Sequence, residues 1–444
     1  MKVLMFGWEY PPHISGGLGT ACFGLTKALS DLGVSIDFVV PRLFGDEPSS
    51  GANMTSASQI VNSLTRKEVE FLHDNVQLLE VDSAMLPYES EEAYSGRIKR
   101  SFNKIKRSSN LLKQSFSETK SRDIISDFRF DLQGGYGEGL FEEVERYAFV
   151  AGSIAKQREF DVIHAHDWLC YKAGEIAKKI SGKPLIVHVH ATEYDRSGKS
   201  VNQRVYEMER QGMEAADLIV CVSEFTRKIV ISKYFQNEQK VVCVHNGVIT
   251  QKPKPIMENN LFGKKIVSFI GRVTYQKGTD YFVEAADKIL QHDKDFIFVL
   301  AGDGDMLDKM IDLVAKKKIS KNFFFTGFLQ AEELRELLSI SSVFVMPSVS
   351  EPFGIAPLEA MQAGVPTIIS KQSGVAEVLN HAVKVDFWDI DSLSDAIYSI
   401  GKNRALSDML SKNGKAEATA ITWDKAADKL KELYTEMSEK YHKL

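Results

Sequence analysis

The sequence predicts an α/β protein built from two doubly wound, Rossmann-like domains facing a cleft. Three observations carry that reading. Short apolar, β-rich runs alternate with amphipathic stretches, the pattern of parallel βαβ units. The alternation halts near residue 250 at a polar stretch bearing Pro253 and Pro255, and then starts again. The chain has 444 residues, and a prior of roughly 150 residues per domain gives two or three domains.

In order, strands are expected at 3–6, 35–40, 161–164, 185–190, 218–222 and 241–244 in the first half. The second half repeats them at 266–270, 296–301, 323–326, 343–346 and 367–370. They read as continuous apolar runs, as strands covered by helices on both faces do. Amphipathic stretches such as 24–32 and 147–157 supply helices between them. The first domain is therefore placed at 1–248, a linker at 249–260 and the second domain at 261–415. The linker's prolines block both helix and central strand. Residues 416–444 are helical in character and able to pack back across the first domain.

Residues 45–139 break the alternation, as an insertion rich in serine and basic residues. A strand is expected around 76–81 and a helix over 97–116. That helix places Ile98, Phe102, Ile105, Leu112 and Phe116 near helical spacing, with Arg97, Lys99, Arg100, Lys104, Lys106, Arg107 and Lys113 on its other faces. Such a helix suits an anionic membrane surface, an acidic ligand, or a solvated face over the first domain; the last is the commonest case.

Composition narrows the function classes. Hydrophobic residues make up 44% and charged residues 26%, enough for a sizeable core without staples. A net charge of −5 supplies no global basic field, so nucleic acid is not an expected partner. The four cysteines, Cys22, Cys170, Cys221 and Cys243, show neither a C-x-x-C pair nor a zinc-type spacing. The N-terminal apolar run is too short for a signal sequence and meets Glu9 at once, and nowhere do 18 apolar residues run together. A cytoplasmic protein is expected.

Four motifs carry chemistry. After the first strand, a loop containing Gly16, Gly17 and Gly19 runs straight into a helix. Its glycines let backbone N–H groups approach a phosphate at the helix start, although a tight βα turn needs the same residues. The second domain's first strand runs into Gly271-Arg272-Val273-Thr274-Tyr275-Gln276-Lys277-Gly278. This loop lies at the carboxyl edge of its sheet, where doubly wound domains bind ligands. Two cations so close fit a diphosphate, Arg272 as a fork and Lys277 as a point charge.

Third comes the block from Ser350-Glu351-Pro352-Phe353-Gly354 to Gly364. Pro357 suits a first helical turn and Gly364 suits its end. Backbone N–H groups at Gly354, Ile355 and Ala356 then point out of the helix start. Glu359 stands in the first turn and Glu351 just ahead of it. Taken singly, each reads as a helix-start acid and a solvated loop acid. Fourth, His164-Ala165-His166-Asp167-Trp168 and His190-Ala191-Thr192-Glu193-Tyr194-Asp195-Arg196 each follow a strand. No third ligand has metal spacing to the histidine pair, so a neutral hydrogen-bonding role is expected for His166 and no metal for the site.

Together these residues resemble a retaining nucleotide-sugar glycosyltransferase of the GT-B type. The resemblance is nearest to bacterial and archaeal glycogen and starch synthases and to their sucrose-synthase-like relatives. It runs over nearly the whole chain and is weakest across 45–139. The Gly-Arg-x-x-x-x-Lys-Gly loop and the Glu-x7-Glu block, in this order after a Gly-Gly loop and His-Ala-His-Asp-Trp, are its most specific elements. It implies a catalytic set of His166, Arg272, Lys277 and Glu351. Arg272 and Lys277 would grip the donor diphosphate, with Gly16 and Gly17 approaching from the opposite domain. Glu351 would lie beside the transferred sugar and His166 near its C6 hydroxyl. Gly354, Ile355, Ala356 and Glu359 would bind the donor, Glu359 through the ribose hydroxyls. Asn246 would close over the donor, and Glu142 would stand by the acceptor.

One departure stands out. Bacterial glycogen synthases carry a lysine two places before the Gly-Gly pair, where this chain has Ile14. The resemblance implies UDP- or ADP-glucose as donor, an α-1,4-glucan 4-hydroxyl as acceptor, and no obligatory cofactor or metal. The rivals are an envelope-glycoconjugate or sucrose-synthase-like acceptor, a nucleotide-sugar epimerase, and a glucan-binding protein with no activity. No nucleophile is evident, so same-face attack with retention is expected.

Overall fold

The computed structural model describes residues 1–13, 16–61, 139–250 and 263–442. The strand expected at 76–81, the basic helix expected over 97–116, Ile14 and most of the 249–260 linker lie outside the described residues. The first half holds β1 (Lys2–Phe6), α1 (Gly17–Asp31), β2 (Ser35–Val40), β3 (Asn53–Ser56), α2 (Ala57–Val61), α3 (Leu140–Gln157) and β4 (Val162–His166). It continues with α4 (Trp168–Ser181), β5 (Leu185–Val189), α5 (Glu193–Ser197), α6 (Gln203–Ala215), β6 (Leu218–Cys221), α7 (Glu224–Lys233) and β7 (Val241–Cys243). The second half holds β8 (Lys265–Ile270), α8 (Thr279–His292), β9 (Phe296–Ala301), α9 (Leu307–Lys316), β10 (Phe323–Gly327), α10 (Ala331–Ile340) and β11 (Val343–Met346). After it come α11 (Ala356–Gln362), β12 (Thr367–Ser370), β13 (Val383–Val385), α12 (Ile390–Lys402), α13 (Arg404–Thr419) and α14 (Trp423–His442).

The strands form two sheets, seven-stranded in the order β3-β2-β1-β4-β5-β6-β7 and six-stranded in the order β10-β9-β8-β11-β12-β13. All pairs are parallel. Both sheets therefore reverse direction at one point, between β1 and β4 and between β8 and β11. A crevice opens there at the carboxyl ends, the usual ligand site of such sheets. The loops after those four strands hold Gly16, Asp167, Arg272 and Glu351. Topology thus gathers the sequence motifs.

Two strands escape sequence reading, β3 and β13. Both are short edge strands, and β3 (Asn-Met-Thr-Ser) lacks the apolar run of a central strand. Helix α1 follows the glycine loop at once, beginning at Gly17, and its first turns are small residues packed tightly ahead of the amphipathic stretch 24–32.

Helix α14 returns to the first domain. Tyr434 Oη meets His164 Nδ1 at 2.6 Å, Lys431 Nζ donates to Leu32 O at 2.9 Å and Tyr441 Oη donates to Asp217 at 2.7 Å. The crossing is made at Thr422, which bridges to Val248. A Cβ on Gly24 would stand 2.2 Å from Trp423 Nε1, so only glycine admits the indole. Gly24→Val is expected to cost about 1–3 kcal/mol through overpacking, read as a lower urea midpoint.

Candidate active site

The second-domain side of the crevice is built by two loops that lock together. Gly278 has φ +64°, and a Cβ there would lie 2.1 Å from Pro347 O. Glycine thus lets the loop after β8 lie on the loop after β11. Val349 N donates to Gln276 O at 2.9 Å, which fixes the register. The result brings Lys277 Nζ to 2.5 Å from Glu351 Oε2, an oxygen that also accepts from Ser348 Oγ at 3.2 Å. Glu351 is only 5% exposed. An ammonium has three N–H donors, so the pair leaves Lys277 two for a further anion.

Glu351 is held from the other side by its backbone: its N donates to Gln372 O and its O accepts from Gly374 N, each at 2.9 Å. Gly354, at φ +103°, turns the chain into α11, which starts with Pro357 in its first turn. Glu359 stands half-buried in that turn. Burial pushes its carboxyl up, and among the described residues none pairs with its carboxylate. Such a carboxylate is ready to accept hydroxyl donors.

The first-domain side faces this loop. A Cβ on Gly16 would be 3.8 Å from Arg272 Cδ, whereas one on Gly17 would meet nothing within 4 Å. Of the two glycines, Gly16 comes nearer to the cation loop. Asn246 is buried, in a turn whose Gly247 lies against the backbone of Thr422 and Trp423. Glu142 is exposed in the first turn of α3, beside Phe141, whose ring packs 5.7 Å from that of Trp168.

His166 ends β4 and is fully buried, with Nδ1 2.9 Å from His190 Nε2 and, among the described residues, no partner on Nε2. Its position behind His190 was not apparent in the sequence. His190 follows β5 and is half-buried, more open than His166. The two belong to a stack of four imidazoles with His164 and His188, neighbouring rings 4.3–5.3 Å apart. They share one face because alternate residues of paired strands do. Asp167, in the left-handed region at φ 57°, turns its Oδ1 to accept from His190 N at 2.7 Å and Ala191 N at 3.3 Å.

Sequence reasoning placed the segment after His190 behind a strand but gave Asp195 and Arg196 no role. Thr192 and Asp195 form a capping box on α5. Asp195 Oδ1 accepts from Ser350 Oγ across the crevice at 2.5 Å, one residue before Glu351. Pro352 O accepts from Ser223 Oγ at 2.6 Å. Arg196 is buried between Glu193 and Glu209, and Glu209 also accepts from Tyr234 Oη. The signal was the dense run of charges directly after an apolar strand.

The model of "glycosyl transferases group 1" matches residues 254–417, and that of "glycosyltransferase family 4" matches 137–252. A sucrose-phosphate synthase structure from Thermosynechococcus elongatus superposes with a TM-score of 0.70 at 17% identity, covering 98% of each chain. The chain belongs to the GT-B glycosyltransferases. An uncharacterized glycosyltransferase of Methanocaldococcus jannaschii is 26% identical over 98% of both chains. A glycogen synthase of Mycobacterium tuberculosis is 22% identical to this glycosyltransferase over 98% of its chain and 94% of the relative's. An Escherichia coli UDP-Gal:α-D-GlcNAc-diphosphoundecaprenol α-1,3-galactosyltransferase is 27% identical over 64% of this chain and 77% of its own. An Anabaena protein solved with UDP-glucose has a TM-score of 0.64 at 15% identity, covering 98% and 100%. No helix among the described residues is long and apolar enough to cross a membrane.

The imidazole stack gives the glycosyltransferase a pH signature. Burial lowers His164 and His190 to about 3, and holds His166 and His188 well below the usual histidine range. The unfolded chain protonates these rings near pH 6.5 and the folded chain does not. Stability is therefore present above about pH 6.5 and drains away as pH falls toward 3. Asp167 and Glu209, raised by burial to about 7, act in the opposite sense between about pH 7 and 4. Burial raises the carboxyls of Asp195 and Glu359 as well, and these act with Asp167 and Glu209. The share of the rings is read by difference: as pH falls from 7.5 to 5, the urea midpoint of His188→Phe is expected to rise relative to that of the parent, and absence of a relative rise would remove the stack from the pH response.

Proposed function

We propose that this glycosyltransferase moves glucose, with retention, from a nucleoside-diphosphate glucose to the 4-hydroxyl of an α-1,4-glucan. The observation that carries the proposal is the Arg272–Lys277 loop standing opposite Gly16 at the crevice, with Lys277 already held by Glu351. Those cations suit a diphosphate leaving group, and the cost of separating charge falls where preorganised donors meet it. Arg272 and Lys277 take the phosphates, with backbone N–H groups of Gly354, Ile355 and Ala356 beside them. Glu359 takes the ribose hydroxyls and Asn246 closes over the donor. Glu351 positions Lys277 and lies beside the sugar.

His190 is the imidazole nearer the sugar, and His166 orients it from behind through the 2.9 Å contact. Both stay neutral at physiological pH, so they donate or accept hydrogen bonds without carrying charge. The anomeric carbon–phosphate oxygen bond breaks as the acceptor oxygen attacks on the same face. The acceptor's proton passes to the departing phosphate oxygen. Glu142 stands on the acceptor side. The glycogen synthase relative matching nearly the full chain supports a glucan acceptor, and the UDP-glucose neighbour supports a glucosyl donor. A cytoplasmic site of action accords with that donor.

A second reading comes from the galactosyltransferase relative, whose acceptor is a diphosphoundecaprenol-linked sugar. One experiment separates the two. Radiolabelled glucose from UDP- or ADP-glucose is offered to glycogen primer. Label in amylase-sensitive polymer supports the glucan reading and names the donor. No incorporation, despite tight donor binding, overturns it and favours the lipid-linked acceptor.

A further inference from the structure

A second cluster of side chains lies on the other side of the Asn246-Gly247 turn, where the domains meet beside the Val248–Thr422 bridge. Cys243 closes β7, His245 follows it, and Glu377 ends the short turn Gly374–Glu377 of the second domain. Cys243 Sγ is 3.6 Å from His245 Nε2, and the same nitrogen is 2.8 Å from Glu377 Oε2. All three donor atoms lie within 4.8 Å of one another. The Cys243 thiol also meets the Glu224 side chain, so a thiol, an imidazole and two carboxylates are gathered together.

The spacing fits a metal. Zinc bonds of about 2.3 Å to sulfur and about 2.05 Å to nitrogen, at the tetrahedral angle, put those atoms roughly 3.5 Å apart. The nitrogen–oxygen edge would need to open by roughly half an ångström as the hydrogen bond gives way to the metal. The carboxylate is held ready: Glu377 Oε1 accepts from Phe225 N at 2.6 Å and Oε2 from Glu224 N at 2.9 Å. Such outer contacts orient metal ligands. A sulfur, an imidazole nitrogen and a carboxylate oxygen form a donor set that suits zinc. The side chains of His245 and Glu377 are 36% and 26% exposed, which gives an ion a way in.

We propose that Cys243, His245 and Glu377 form a zinc site that ties the two domains together, its fourth position taken by water or by the neighbouring Glu224 carboxylate. The proposal does not rest on the choice of donor or acceptor. Uptake releases the Cys243 thiol proton and forms the zinc–sulfur bond. Two ligands come from the first domain and one from the second, 132 residues further on, which is why no zinc spacing shows in the sequence. A bound ion restrains any opening of the crevice.

The test uses the full chain, stripped with chelator and titrated with zinc chloride against a chromophoric competitor. One zinc per chain is expected, lost in Cys243→Ser and bound at least about tenfold more weakly in His245→Ala and Glu377→Gln. Cobalt in place of zinc should give a thiolate-to-metal charge-transfer band that Cys243→Ser lacks. His245 is half-exposed, so His245→Ala keeps the test open should Cys243→Ser fail to fold. Absence of uptake by the unaltered chain, or uptake that the variants leave unchanged, overturns the site.

Discussion

Lys277→Ala is expected to lower kcat/KM for glucosyl transfer by about 10²–10³, the usual cost of removing one preorganised electrostatic contact to a developing charge. The argument has two parts. The ammonium is a point charge at the mouth of the carboxyl edge, aimed by Gly278 and by the Glu351 carboxylate 2.5 Å away. Removing it also leaves Glu351, 5% exposed, as a buried anion facing an incoming diphosphate, so donor and enzyme then repel. The loss should therefore appear in both KM for the donor and kcat. Lys277→Arg keeps the charge but replaces a compact ammonium with a planar fork, and partial recovery is expected. Initial rates of nucleoside-diphosphate release measure both variants. A Lys277→Ala enzyme within threefold of the parent would remove Lys277 from the phosphate site.

Arg196→Met is the substitution with the largest expected effect on stability, about 3–5 kcal/mol. The guanidinium and its partners Glu193 and Glu209 have side chains only 5%, 3% and 1% exposed. Its removal strands two carboxylates in the interior. Glu209 already titrates at about 7 through burial, opposed chiefly by Arg196 itself. Without that cation the carboxyl goes higher still, and the folded chain takes up a proton that the unfolded chain does not hold. The destabilisation should shrink as pH falls from 8 to 6. Urea midpoints at the two pH values test it, and a loss that stayed constant would show that packing, not charge, accounts for Arg196. The same segment carries Asp195, which accepts from Ser350 across the crevice, so a loosened segment also loosens the approach to Glu351.

The central strands were legible because burial on both faces leaves a continuous apolar run, as in Leu-Ile-Val-His-Val of β5 and Phe-Ile-Phe-Val-Leu-Ala of β9. The edges were not, since three residues of β13 carry no such run. The candidate site was legible where a loop's residues act alone: Arg272, Lys277 and Gly278 share one short loop. It was not legible where the partner comes from far along the chain. Nothing local to Lys277 announces Glu351, 74 residues on, and nothing local to His166 announces His190 from the next strand. The sequence offered two cations in want of an anion; in the folded chain Glu351 partly meets that need before any ligand arrives. Likewise Asp195 looks like a simple capping residue until Ser350 is brought across to it.

The return of α14 to the first domain sets the timetable of folding. Leu430, Ala427 and Tyr434 cover the same sheet face as Val3, Met5 and Val162, so the core begun by the first strand is finished by the last helix. During synthesis the first domain cannot close until residues 423–442 have emerged, with the whole second domain made in between. At that stage the ribosome holds a half-covered sheet whose apolar face is open to other chains, the situation in which multidomain proteins most often misassemble. The second domain, by contrast, has its six strands and their helices before α14 begins. The second domain can thus complete its core before the first.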